Sequence, residues 1–152
     1  MYTTLLWATD GSLEADGALA TARELLSPGG RIVAFHCDQR FMSGRSVGAP
    51  IAADENERLR HIEHQVNDLQ ADGVDARLFV ETTSRIAPTE IAHAAQKVGA
   101  EAIVCGTRGI RGLRGFLGGS VAAELLSRSR VPVIVVPAAS ADQARSEVRA
   151  AQ

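Results

Sequence analysis

The fifteen residues from Gly106 to Ser120 hold six of the chain's 14 glycines. Glycine at this density lets backbone amides approach a ligand with no side chain in the way. Successive amides in such turns form anion-binding concavities. Arg108, Arg111 and Arg114 add three cations, and no acidic residue lies between Val104 and Leu117. Gly119 and Ser120 precede a helix-forming stretch, and a helix N-terminus offers free N–H groups and a partial positive charge. Free amides, a helix start and local positive charge are what a polyphosphate needs. A plain flexible surface loop is the alternative, since many glycine-containing loops between strands and helices bind nothing. Glycine every third residue is also the collagen period, but this run has no proline and is far too short.

Other candidates are sparser. Thr9-Asp10-Gly11-Ser12 ends the first apolar run. Asp10 is either a carboxylate beside a nucleotide or metal, or a turn former, because Asp-Gly is a common turn. Ser12 and Ser120 suit capping or phosphate binding, and neither sits in a Gly-x-Ser-x-Gly elbow. No nucleophile–base pair stands out. His61 and His64 lie three apart but lack the His-Glu-x-x-His pattern, and they fall off the Leu59, Ile62, Val66 and Leu69 stripe. A solvated helix face is expected for both, and for His93. Cys37 and Cys105 are too few for a disulfide framework or a cysteine metal cage. The chain has no Walker-type loop and no Gly-x-Gly-x-x-Gly after a strand.

The elements that must hold these residues alternate. Apolar runs at Thr4 to Ala8, Arg31 to Cys37, Val74 to Val80, Glu101 to Cys105 and Val131 to Val136 read as strands. Helical spacing follows at Ser12 to Leu26, from Asp54 to Asp72-Gly73 with Glu57 completing a capping-box spacing, at Pro88 to Gly99, and at Ser120 to Ser127. Ser27-Pro28-Gly29-Gly30 reads as a stop, and Phe41 to Ala53 as a long surface loop. This order predicts an α/β domain, a parallel sheet with helices on both faces. Ligands in such folds bind beyond the carboxyl ends of the strands. There stand Thr9 to Ser12, His36-Cys37-Asp38 and the loop from Gly106.

The composition agrees with one domain. The chain has 152 residues, 45% hydrophobic and 22% charged, with a formal net charge of -2. That is an ordinary globular balance with no basic excess to suggest nucleic-acid binding. The basic side is almost all arginine, and Lys97 is the one lysine. No apolar run is long enough to span a membrane, and the N-terminus lacks a basic leader, so a cytoplasmic location is expected. The expected domain is 1–140, followed by a polar Ala-rich tail, 141–152.

Gly106, Gly109, Gly119 and Ser120 fit Gly-x2-Gly-x9-Gly-Ser/Thr without a gap, after the fourth strand. In this the chain resembles the ATP-binding branch of the universal stress protein family. The first strand ending in Thr9-Asp10-Gly11-Ser12, the strand closing in Phe35-His36-Cys37, and Val131 to Val136 also look like that family. The resemblance covers about residues 2 to 137. It implies an adenine nucleotide alpha hydrolase-like fold with a five-stranded parallel sheet in the order 3-2-1-4-5. Residue by residue, it places Ala8, Thr9 and Asp10 beside the nucleoside and Cys37 near adenine. Gly106, Arg108 and Gly109 line the ribose and phosphate path, and Gly119, Ser120 and Val121 hold phosphates. Arg108 departs from a position that varies among members. In that strand order one strand separates Cys37 from Cys105, roughly 9.5 Å laterally, beyond disulfide reach. The resemblance implies ATP, with Mg²⁺ offsetting its charge, a homodimer through the last strand, and a switch or sensor in stress response rather than a fast enzyme. A slow ATPase, or a module for another adenine nucleotide such as cyclic AMP, is the alternative.

Overall fold

Leu5, Leu6, Trp7 and Ala8 are consecutive apolar residues, a pattern that suits a strand covered on both faces. All four are at most 2% exposed. The strand they belong to, β1 (Tyr2–Ala8), is the middle of the sheet. The computed structural model describes residues 1–38, 49–83, 85–106 and 121–137. Among them β1 is followed by α1 (Leu13–Leu25), β2 (Leu26–Asp38), α2 (Ala49–Ala71), β3 (Asp75–Thr82), α3 (Ala87–Val98), β4 (Ala102–Gly106), α4 (Val121–Arg128) and β5 (Val133–Val136). The five strands lie in the order β3-β2-β1-β4-β5, and every neighbouring pair is parallel.

Alternation along the strands divides the core in two. Leu6, Ala8, Val33, Phe35, Ile103 and Cys105 face α3 and α4, where Ile91, Ala95 and Leu125 cover them. Leu5, Trp7, Ile32, Ala34 and Val104 face α1 and α2, against Ala18, Ala22, Ile62, Val66 and Leu69. Trp7 keeps its one polar atom satisfied, its Nε1–H donating to the Ala15 carbonyl at 3.2 Å. Small alanines on α1 let that helix sit close to the sheet, which a tryptophan in the opposite layer requires.

Helix ends follow local chemistry. Ser12 caps α1, its Oγ accepting from the Ala15 N–H at 3.3 Å. Proline opens α3, and Gly99 closes it in the left-handed region at φ 67°. Two boundaries differ from the sequence reading. The backbone of α2 begins at Ala49, five residues before Asp54, so 49–53 are helical rather than loop and the Asp54/Glu57 pair does not form a cap. Pro50 is tolerated there because the first helical turn needs no N–H. Ser27 to Gly30 do not separate α1 from β2. They lie within β2, where the register jumps from Tyr2 opposite Leu26 to Thr4 opposite Arg31. The glycines and proline are absorbed as a strand irregularity, a use that local turn propensity does not distinguish from a loop. The expected tail, 141–152, lies outside the described residues.

Candidate functional site

The sheet grows from β1 outward to β2 and β3 on one side, and through β4 to β5 on the other. The strand order therefore reverses between β1 and β4, and open α/β sheets leave a crevice at that point. Ala8, the last residue of β1, stands opposite Phe35 of β2 and Cys105 of β4. Gly106 ends β4 opposite Val136. Cys37 is the penultimate residue of β2, opposite Glu81. The fold thus brings Ala8, Thr9, Asp10, Cys37 and Gly106 to one end of the sheet. Val121 is the first residue of α4. Arg108, Gly109, Gly119 and Ser120 lie outside the described residues.

The turn after β1 is held by its own side chains. The buried Thr9 donates its N–H to the Phe35 carbonyl at 3.0 Å. Its Oγ1 accepts from the Gly11 N–H at 3.1 Å, and Asp10 Oδ1 accepts from the Ser12 N–H at 2.9 Å. Gly11 sits at φ 76°. So Asp10 is a turn former, with Oδ1 committed to the backbone. Its Oδ2 lies 3.8 Å from Arg58 Nη1, which also donates to the Asp10 carbonyl at 3.4 Å. A guanidinium from α2 therefore backs this carboxylate. His61, expected on a solvated face, instead joins α2 to α1 through a 2.9 Å contact with Asp16. His64 pairs with Asp68 in the exposed i,i+4 manner.

His36 carries a role that sequence reading did not assign. It is 4% exposed, with Nδ1 3.1 Å from the Thr9 carbonyl and Nε2 2.5 Å from Glu55 Oε1. A carbonyl and a carboxylate both accept, so both contacts are hydrogen bonds only when both ring nitrogens carry protons. Burial pulls the pKa of His36 down. The hydrogen bonds to Glu55 and Thr9, helped by the charges of Glu55 and Asp38, outweigh it and hold the pKa above 6.5. His36 thus clasps the site turn to α2, with its protonated form favoured. The signal was a histidine inside an otherwise apolar strand, but its partners lie 27 and 19 residues away.

A raised folded-state pKa makes the sign of the pH effect definite. The clasp contributes its full stability below about 6.5, the unfolded value, and loses it as pH rises through the folded pKa. The expected result is a His36 titration midpoint above 6.5 by NMR, with stability to urea declining on the alkaline side. A midpoint at or below 6.5 rejects the charged clasp.

Both cysteines are free thiols. Burial pushes Cys37 up to about 11, with the carboxylates of Glu90, Asp38, Glu81 and Glu55 adding to it. Burial alone pushes Cys105 up to about 11. The thiolate is the reactive form, so neither cysteine is set up as a nucleophile. Labelling of the native protein by a thiol reagent at pH 8 should run at least about tenfold slower than in urea. Equal rates would show that Cys37 is neither buried nor protonated.

The geometry defines a doubly wound α/β domain whose strand order reverses between β1 and β4. The sequence profile of the universal stress protein family matches residues 1–137, and the chain belongs to that family. No curated protein matches it at a significant level. Among solved structures, a member of the family from Burkholderia pseudomallei is 26% identical, with a TM-score of 0.68 over 90% of this chain and 97% of that one. A universal stress protein in complex with cAMP is 23% identical, with a TM-score of 0.60 over 91% of this chain and 99% of that one. One from Archaeoglobus fulgidus in complex with dAMP is 21% identical, with a TM-score of 0.61 over 90% and 98%. The last two share the fold with this chain. No helix among the described residues is long and apolar enough to cross a membrane.

Proposed function

We propose that this protein binds an adenine nucleotide, ATP by preference, across the carboxyl ends of β1 and β4 and acts as a nucleotide-dependent switch in stress response. The observation that carries this reading is the meeting of the Thr9–Asp10 turn with Gly106 at the switch point of the sheet. From Gly106 the chain runs directly into the Gly-x2-Gly-x9-Gly-Ser loop with its three arginines. Family relatives in complex with cAMP and dAMP support an adenine nucleotide as the ligand. In this reading Ala8, Thr9, Asp10 and Cys37 take the nucleoside. Gly106, Arg108 and Gly109 take the ribose and phosphate path, and Gly119, Ser120 and Val121 take the phosphates.

The described residues contain no group of three or more His, Cys, Asp and Glu side chains fit to hold a metal. In this reading Mg²⁺ arrives on the phosphate oxygens, a usual mode for this ion. Calorimetry with ATP, AMP and cyclic AMP at low salt with Mg²⁺ tests the reading. ATP should bind most tightly, and its affinity should fall with added salt because the loop arginines are screened. No heat with any of the three nucleotides would overturn nucleotide binding. Tighter binding of cyclic AMP would favour the alternative ligand. Steady release of ADP would favour a slow ATPase over a switch.

The protein works as a homodimer in this proposal. β5 is a sheet edge of four apolar residues, all half-buried, with no charge to discourage pairing. An apolar edge strand in a monomer is an aggregation hazard, and antiparallel pairing about a two-fold axis covers both copies at once. Light scattering should report a dimer at tens of micromolar, and Val135→Lys should shift it toward monomer. A monomeric parent protein at that concentration rejects the assembly.

A further inference from the structure

On the α3 side of the sheet lies a cavity of about 210 Å³ between β2, β3 and α3. Phe35 and Phe79 form its apolar wall, their rings edge-to-face at 5.4 Å. Two carboxylates and two cations line the rest: Glu81 and Glu90, Arg85 and Lys97. Glu90 is the unusual member. Its side chain is 7% exposed, yet its buried Oε1 accepts no hydrogen bond among the described residues. The nearest cation, Arg85 Nη1, stands 3.7 Å away, and Lys97 Nζ stands 4.0 Å from Glu81 and 5.1 Å from the centroid of Phe79. Both ion pairs are too long for hydrogen bonds. An unmet acceptor of this kind costs free energy until a donor reaches it.

We propose that this cavity binds a small zwitterion of the α-amino acid class, its ammonium on Glu90 and its carboxylate on Arg85, with an aliphatic side chain against Phe35 and Phe79. The unmet atom is an acceptor, so the ligand must bring a donor. Both signs of charge line the walls, so a ligand of one sign meets repulsion from the rim, while a zwitterion inserts between each stretched pair and shortens both. The volume lies below that of ordinary drug-sized sites and suits a ligand of amino-acid size. Phe35 and Glu81 of this lining stand opposite Ala8 and Cys37 of the candidate site, but the charged partners are Glu90 and Arg85, which the nucleotide reading does not use, so the inference does not rest on ATP binding.

The test is titration of the ¹⁵N-labelled protein with L-leucine, followed by NMR. Leucine should shift amides around Glu90, His93 and Lys97 with a dissociation constant on the order of 1 mM. Glu90→Gln should weaken that binding about tenfold, because a neutral amide oxygen accepts from the ammonium without the charge of an ion pair. Arg85→Gln, at a rim position where folding is not at stake, should weaken it as well. No shift of these amides at about 20 mM leucine, well above the expected constant, overturns the site. Equal binding by both variants overturns the pairing. Isopentylamine binding as tightly as leucine overturns the zwitterion and leaves a plain cation site in its place.

Discussion

Gly119→Asp should abolish measurable ATP binding, with an affinity loss of at least about 100-fold, because like charges brought together at a binding site cost several kcal/mol. The new side chain would stand where the glycine pattern places the phosphates, and its carboxylate would repel them. Gly119 belongs to a stretch of sequence rich in glycine and arginine, and the change is expected to act on the ligand, so circular dichroism and urea midpoint should match the parent. Asp10→Ala is the companion variant. It should weaken binding less, since it lies at the nucleoside end, but it also removes the acceptor of the Ser12 N–H. Calorimetry on the two variants separates the ends of the site. Parent-like ATP affinity in Gly119→Asp would move the phosphates away from the start of α4.

Gly11→Ala should be the most destabilising single-methyl change among the described glycines with positive φ. Gly11 has φ 76°, and a Cβ there would lie 2.7 Å from both the Cβ and the carbonyl oxygen of Arg58. The left-handed backbone costs an alanine roughly 1–2 kcal/mol. Forcing α2 away from the turn adds roughly 1–3 kcal/mol. Gly73 supplies the control. Its φ is 83°, but nothing lies within 4 Å of its hypothetical Cβ, so Gly73→Ala meets the backbone cost alone. Urea unfolding of the pair should therefore differ by the packing contribution. The Gly11 variant should also bind ATP more weakly, since Arg58 backs Asp10 from the helix that would move. Equal destabilisation by the two substitutions would show that the turn and α2 are not in close contact.

The contrast between these two glycines shows where local reading stops. Both stand in Asp-Gly pairs, and both were legible as turns from that dipeptide alone. That one abuts the backbone of a helix some 48 residues later is a fact of packing. The same limit governs the boundary of α2. A capping-box spacing at Asp54 and Glu57 was a sound local signal, but the helix starts at Ala49, and Glu55 between them pairs with the buried His36. Ser27 to Gly30 carry the composition of a loop and lie in β2, because Leu26 and Arg31 on either side of them pair with β1, a partner that no local window contains.

The sequence by itself determined the five strands and four helices, their alternation, and the loops standing at strand carboxyl ends. Those features follow from hydrophobic period and turn chemistry, which act over a few residues. Resemblance to the family supplied the strand order and the nucleotide pattern, and the structure bears out the order. Only the tertiary structure decided the rest. It placed the buried His36 between Thr9 and Glu55, set Arg58 behind Asp10, and lined a cavity with an unmet Glu90 oxygen and two phenylalanines. Each of these joins residues from separate elements, and their energies come from burial and distance. Neither quantity exists until the sheet has brought the elements together.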